Sequence, residues 1–100
     1  MELTIEKVKD TTTVQFIGRL DTPASQDVSK QLEPLQADAS GTIILDCKQL
    51  DYISSSGLRI FLTLRKAAAS KGGKIIVQDI NDAIRQVFMM TGFLNLFEVR

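Results

Sequence analysis

Residues 42–58 read TIILDCKQLDYISSSGL, an apolar run followed by a polar stretch that ends in three serines and Gly-Leu. Residues 42–45 are continuously apolar or β-branched, which is typical of a strand covered on both faces. We expect residues 46–48 to end that strand and residues 50–53 to form a loop that returns to the core. Residues 54–57 then open a helix, because serine is a preferred N-cap residue.

The residues before this stretch predict a β-hairpin. Residues 2–8 alternate between polar and apolar side chains, which indicates a strand with one solvated face. Residues 12–17 are mainly β-branched or aromatic, and only a short turn separates them from the first strand, so the two strands should be antiparallel neighbours. Residues 18–21 are expected to leave the sheet and lead into a helix.

Three helices are predicted from their capping residues. Asp21 or Thr22 can cap the first helix. Pro34 inside that helix predicts a kink or an early end, because proline removes a backbone donor and clashes with the preceding turn. The serine-rich stretch opens the second helix. Asn81 can cap the third helix, which Gly92 would close.

Together these elements predict a single α/β domain over residues 1–100. Residues 74–77 form a further apolar strand, and residues 93–99 should make a short turn and a last strand. The order is ββαβαβα(β), so right-handed crossovers give a largely parallel sheet with flanking helices, which the first hairpin makes mixed. Met89 and Met90 are interpreted as packing in the core or at its rim.

The composition excludes several functions. Twelve basic and twelve acidic residues give a formal net charge of zero, which argues against a nucleic-acid partner. The chain has no histidine, the commonest general base and metal ligand, so neither a metal site nor a cofactor is expected. The single cysteine, Cys47, is interpreted as an inert apolar residue that suits a reducing compartment. No run is long enough to cross a membrane and no signal peptide is recognised, so we expect a cytoplasmic protein.

The three serines are the candidate functional residues. They follow the carboxyl end of a strand, where open α/β sheets place their sites, and a helix N-terminus favours anions. A nucleophile elbow requires glycine where this chain has Ile53, and no histidine can take the serine proton, so no enzyme is expected. Simple capping by Ser54 or Ser55, or nucleotide binding at the helix start, is also compatible with the pattern.

The chain resembles the STAS domain and, within that family, the small anti-sigma factor antagonists of bacteria. The resemblance covers nearly the whole length and predicts a STAS-like fold. It is carried by residues 16–21, 43–46, 50–58, 90–93 and 96–97. The hydroxyl motif before Gly57 and Leu58 is the most specific of these segments.

The resemblance implies a partner switch. Such an antagonist binds an anti-sigma factor that is also a serine kinase, and thereby releases a sigma factor. The kinase phosphorylates a serine of the motif and ends the complex, and a serine phosphatase reverses that step. The family pattern places the acceptor on Ser55, although Ser54 stands where the best-known antagonists have aspartate, so Ser54 and Ser56 remain alternative acceptors. The expected partner-binding residues are Asp21, Ser54, Ser56, Gly57 and Leu58.

The same resemblance allows a second interpretation. STAS-like domains also serve as non-catalytic subunits of transporters and phospholipid-transport complexes, where the serine loop would be a static docking surface. Co-purification with a transporter ATPase, and without a serine kinase, would favour this interpretation. Direct insertion into the membrane is not expected in either case, and the oligomeric state is left open.

Overall fold

A five-stranded sheet in the order β1-β2-β3-β4-β5 forms the frame of the computed structural model, which describes residues 1–100. The strands are β1 (Glu2–Val8), β2 (Thr11–Leu20), β3 (Thr42–Ile53), β4 (Lys74–Gln78) and β5 (Glu98–Val99). The helices are α1 (Thr22–Ala37), α2 (Ser55–Ser70), α3 (Asp82–Thr91) and the short α4 (Phe93–Leu96). β1 is antiparallel to β2 and all other pairs are parallel, which confirms the predicted mixed, largely parallel α/β fold.

Strand β3 turns one face to the core, which corrects the prediction that it is covered on both faces. Ile43, Leu45 and Cys47 are buried, whereas the residues between them are only half-buried. These three residues belong to the same hydrophobic cluster as the buried side chains of the helices. Successive side chains of a strand point to opposite faces, so Ile44 lies on the more open side. The continuous apolar run therefore did not signify two covered faces.

Strands β2 and β3 are longer than their sequences suggest. β2 continues through residues 18–20 and β3 through residues 48–53, because the two strands stay paired in parallel as far as Leu20 and Ile53. Two register shifts interrupt this pairing. Gly18 lies at one of them with φ of 102°, a conformation that glycine adopts without strain. The predicted departure of both segments from the sheet is therefore wrong.

The helix caps are confirmed, with one correction. Asp21 and Asn81 cap α1 and α3 through their side chains, and Gly92 ends α3 in the left-handed conformation.

Helix α1 passes through Pro34 and ends at Ala37, so the expected early end is wrong. Pro34 and Lys30 are both exposed, so water can bond the Lys30 carbonyl that the proline leaves without a backbone donor. None of the helices is long and apolar enough to span a membrane.

The core is organised around Phe61 of α2, whose side chain is fully buried. Its ring centroid lies 5.3 Å from that of Phe16, 6.2 Å from that of Phe88 and 6.3 Å from that of Phe97. These rings come from β2, α3 and the end of the chain. The core therefore fixes the helix that begins at the serine motif.

The two methionines of α3 lie outside the core, contrary to the prediction. Met89 and Met90 are 62% and 87% exposed, so their assignment to core or rim packing is wrong. The inward positions of this helix are Ile84 and Phe88, which are buried. Residues directly after Phe88 are turned away from it by about 100° per position, which places both methionines toward solvent.

Candidate functional site

Three helices begin at the same edge of the sheet, and each is capped by a side chain. Helix α1 follows β2, α2 follows β3 and α3 follows β4, so their N-termini meet at the carboxyl ends of parallel strands. In each case a backbone N–H donates to the cap: Ala24 to Asp21 Oδ1 at 3.0 Å, Gly57 to Ser54 Oγ at 3.1 Å and Ile84 to Asn81 Oδ1 at 3.0 Å. The positive ends of three helix dipoles therefore face this edge.

The hydroxyl of Ser54 is already used as the N-cap of α2. Besides accepting from Gly57, Ser54 donates its own backbone N–H to the Leu20 carbonyl at 2.9 Å. Only 9% of the residue is exposed. Of the two capping alternatives that the sequence leaves open, Ser54 is the cap, and its burial leaves little of the residue accessible to another macromolecule.

Ser55 is the first residue of α2, and it is the one serine of the motif that is exposed. Unlike Ser54, it makes no hydrogen bond within the protein through its hydroxyl. The first turn of α2 contains no acidic residue. A negative charge on Ser55 would thus meet the favourable end of the helix dipole and no like charge in the same turn.

Ser56 is half-buried beside a groove between α1 and α2. The groove has a volume of about 490 Å³ and a polar lining in which Ile60 is the single apolar residue. The structure therefore separates the three serines by their surroundings. One caps a helix, one is free at the surface and one borders the groove.

Gly57 and Leu58 lie beneath the exposed serine. A Cβ atom on Gly57 would be 2.8 Å from Leu20 Cγ and 2.9 Å from Ile53 Cγ1, well inside the roughly 3.5–4.0 Å at which carbon atoms pack. Glycine therefore allows α2 to begin directly against the ends of β2 and β3. Leu58 is half-buried and packs against the core. Both residues therefore hold the first turn of α2 against the core, next to the exposed serine.

Asp21 lies at the same edge of the sheet as the serine motif. The bond from Ser54 to Leu20 brings the residue before Asp21 against the start of α2. The Asp21 carboxylate caps α1, and its backbone carbonyl accepts a bond from Ser25 Oγ at 2.8 Å. Its carboxylate is therefore held at the start of α1, on the edge of the sheet where the serine motif also lies.

Arg19 and Tyr52 form a contact that the sequence analysis missed. They are register partners in β2 and β3, and the Arg19 guanidinium lies 4.4 Å from the centre of the Tyr52 ring. Tyr52 is 41% exposed, and arginine and tyrosine are enriched among the residues that dominate protein interfaces. No local pattern marks this pair, because burial along β3 stops alternating after Cys47 and the contact depends on the pairing of β3 with β2.

Asn81 has a second role beyond its predicted cap. Its Nδ2 donates to the Leu50 carbonyl at 2.7 Å while its Oδ1 caps α3. This bond connects the start of α3 to β3, the strand that precedes the serine motif. The two residues are 31 positions apart, so no local pattern predicts the contact.

Cys47 takes no part in the site. It is fully buried in β3, and desolvation, together with the neighbouring Asp46 carboxylate, raises the pKa of its thiol to about 12. The nucleophilic form of cysteine is the thiolate, which is scarce at neutral pH when the pKa is this high. The burial of Cys47 agrees with its interpretation as an apolar residue of the core.

Replacing the Ser54 cap should affect stability in a way that depends on the new side chain. Ser54→Ala leaves the Gly57 N–H without its acceptor, so we expect the free energy of unfolding to fall by about 0.5–2 kcal/mol. Ser54→Asp retains a capping oxygen and should stay close to the wild type. Urea denaturation measures both variants, and an equal loss in the two would contradict the capping role.

The sequence matches the family model of the STAS domain over residues 2–100. The anti-sigma F factor antagonist of Paenibacillus polymyxa is 28% identical over 100 residues, which span 99% of this chain and 86% of the relative. The solved structure of the anti-sigma factor antagonist SpoIIAA in its unphosphorylated form has a TM-score of 0.77 at 20% identity, and the match covers 99% of this chain and 87% of that one. The phosphorylated form of the Bacillus SpoIIAA gives the same score and identity over 99% of this chain and 91% of that chain.

The structural matches agree with the mixed sheet and the order of helices and strands seen here. The similarity to SpoIIAA concerns the fold, since the two sequences share few residues. The family model extends over almost every residue of the chain and confirms the resemblance noted in the sequence. The chain therefore belongs to the STAS domain family.

Proposed function

We propose that the protein is an anti-sigma factor antagonist that binds its partner through the surface around Ser55, and that phosphorylation of Ser55 ends the complex. The observation that carries the proposal is that Ser55 is exposed and that its hydroxyl makes no hydrogen bond within the protein. The similarity to an anti-sigma F factor antagonist supports the class of partner. The partner is an anti-sigma factor with serine kinase activity, and a serine phosphatase restores the hydroxyl, in the cytoplasm.

A phosphate on Ser55 changes the binding surface without unfolding the domain. It adds about −1.5 to −2 charges and three strong acceptor oxygens. The N-terminus of α2 tolerates this charge because of its dipole. At an interface that fits a neutral hydroxyl, however, the phosphate must be desolvated close to the Asp21 carboxylate. A cost of about 1.4 kcal/mol lowers the affinity tenfold. A penalty of a few kcal/mol is therefore enough to dissociate the complex.

The proposed role is one of binding, with the chemistry supplied by the partner. The chain contains no histidine, and the Ser55 hydroxyl is not bonded to any base. Ser55 is therefore a substrate of the kinase, and its neighbours Asp21, Ser54, Ser56, Gly57 and Leu58 form or support the surface that the kinase recognises. No cofactor or metal enters this scheme.

The test uses the partner recovered from native cells with the tagged protein. The recovered kinase is incubated with ATP, Mg²⁺ and the purified chain, and the added phosphate is counted by intact-mass spectrometry. We expect one phosphate on the wild type and on the matched control Ser56→Ala, and none on Ser55→Ala. Undiminished labelling of Ser55→Ala would reject the acceptor. Recovery of a transporter ATPase without a serine kinase would instead support the transport-subunit interpretation.

A further inference from the structure

Arg59 lies one helical turn after Ser55 and has no carboxylate partner. The ion pairs of the structure all involve other residues. Arg59 is exposed, and its side chain lines the groove between α1 and α2 together with Ser56. Its guanidinium group is therefore available to bind an anion at the N-terminus of α2.

The spacing of the two residues favours such a contact. Residues four apart on a helix have Cβ atoms about 5–6 Å from each other, and the order with the anion first and the cation second is the stabilising one. Helical side chains lean toward the N-terminus, so the long side chain of an arginine at this position can reach a phosphate on Ser55. No acidic residue in the first turn competes for the guanidinium.

We propose that Arg59 binds the phosphate of phosphorylated Ser55 within the same chain. The inference rests on the proposed function, since it needs a phosphate on Ser55. The planar guanidinium fork pairs with two phosphate oxygens at once. Phosphorylation then alters two features of the surface together, because the hydroxyl becomes an anion and an available cation is consumed.

The other charged groups near this edge come from the elements packed around α2. Lys30 and Glu33 of α1 line the same groove. Asp21 caps α1, and Asp51 and Arg19 lie near the ends of β3 and β2. The Arg19 guanidinium already stacks on a tyrosine ring. Arg59 differs from all of these groups because the helix that carries it also carries Ser55 and fixes their spacing.

The test measures the second pKa of the phosphate by phosphorus NMR titration. Full-length protein is produced with phosphoserine installed at position 55 through an expanded genetic code, so no kinase is needed. Arg59 favours the dianion, and we expect Arg59→Gln to raise the phosphate pKa by about 0.3 units. Arg59→Lys should raise it by less. The matched control Lys66→Gln removes an exposed cation farther along α2 and should leave the pKa unchanged.

An Arg59→Gln protein whose phosphate pKa is indistinguishable from that of the wild type would overturn the inference. Equal shifts in Arg59→Gln and Lys66→Gln would overturn it as well, because the effect would then reflect net charge alone. Neither result touches the proposed function, which depends on labelling by the recovered kinase. Failure of that labelling would refute the proposed function, while the titration would still report whether Arg59 holds a phosphate.

Discussion

The Ser55→Glu variant should bind the anti-sigma factor at least about 100-fold more weakly than the wild type, which corresponds to about 2.7 kcal/mol. The glutamate carboxylate must lose its water at an interface that fits a hydroxyl and lies beside Asp21, and unpaired charges buried in this way cost about 3–5 kcal/mol. Ser55→Ala removes only one hydroxyl, so its loss should remain within about tenfold. Titration calorimetry with the purified anti-sigma factor measures both affinities.

The effect must come from the position of the charge and not from unfolding. An acidic residue in the first turn of a helix is mildly stabilising, so the melting temperature of Ser55→Glu should not fall. Gln31→Glu is the matched control, since it adds the same charge at an exposed position of α1 outside the groove. An unchanged affinity in Ser55→Glu, or an equal loss in Gln31→Glu, would argue against Ser55 as the regulated contact.

The parts of the fold that the sequence predicts are those stabilised by local bonds. The caps at Asp21 and Asn81 each receive an N–H from three residues ahead, so a short pattern contains all the information. The polar end of β3 has the local pattern of a loop, and it stays in the sheet because it pairs with β2, a distant segment. The effect of Pro34 also depends on its surroundings, because water can reach the carbonyl that an exposed proline leaves unpaired.

The site shows the same division between local and distant interactions. The serine motif can be recognised in the sequence, but the different surroundings of its three serines depend on tertiary contacts. Ser54 is the cap and is covered because its backbone bonds to Leu20, and Ser55 is free because α2 begins one residue after that bond. The contacts of Tyr52 with Arg19 and of Asn81 with β3 join residues far apart in the chain.

Phe61→Ala should lower the free energy of unfolding by about 3–5 kcal/mol, the range for a buried phenylalanine whose removal leaves a cavity. Phe61 is fully buried and contacts aromatic rings from three other parts of the chain, so the surrounding structure has little freedom to collapse around the smaller side chain. The total free energy of unfolding of a small domain is about 5–15 kcal/mol, so this loss is a large part of it. Urea denaturation of the variant and the wild type gives the difference.

The comparison that isolates the core is Met90→Ala, which truncates a large apolar side chain that is 87% exposed. Its effect should stay within about 0.5 kcal/mol, as for other surface positions. Phe61 also lies on the helix that presents Ser55, so the loosened core should let the start of α2 fray. At temperatures where Phe61→Ala remains folded, its affinity for the anti-sigma factor should still fall, while that of Met90→Ala does not. Equal stabilities for the two variants would contradict the central position of Phe61, and an unchanged affinity in Phe61→Ala would show that the start of α2 is held by its cap and by the packing at Gly57 alone.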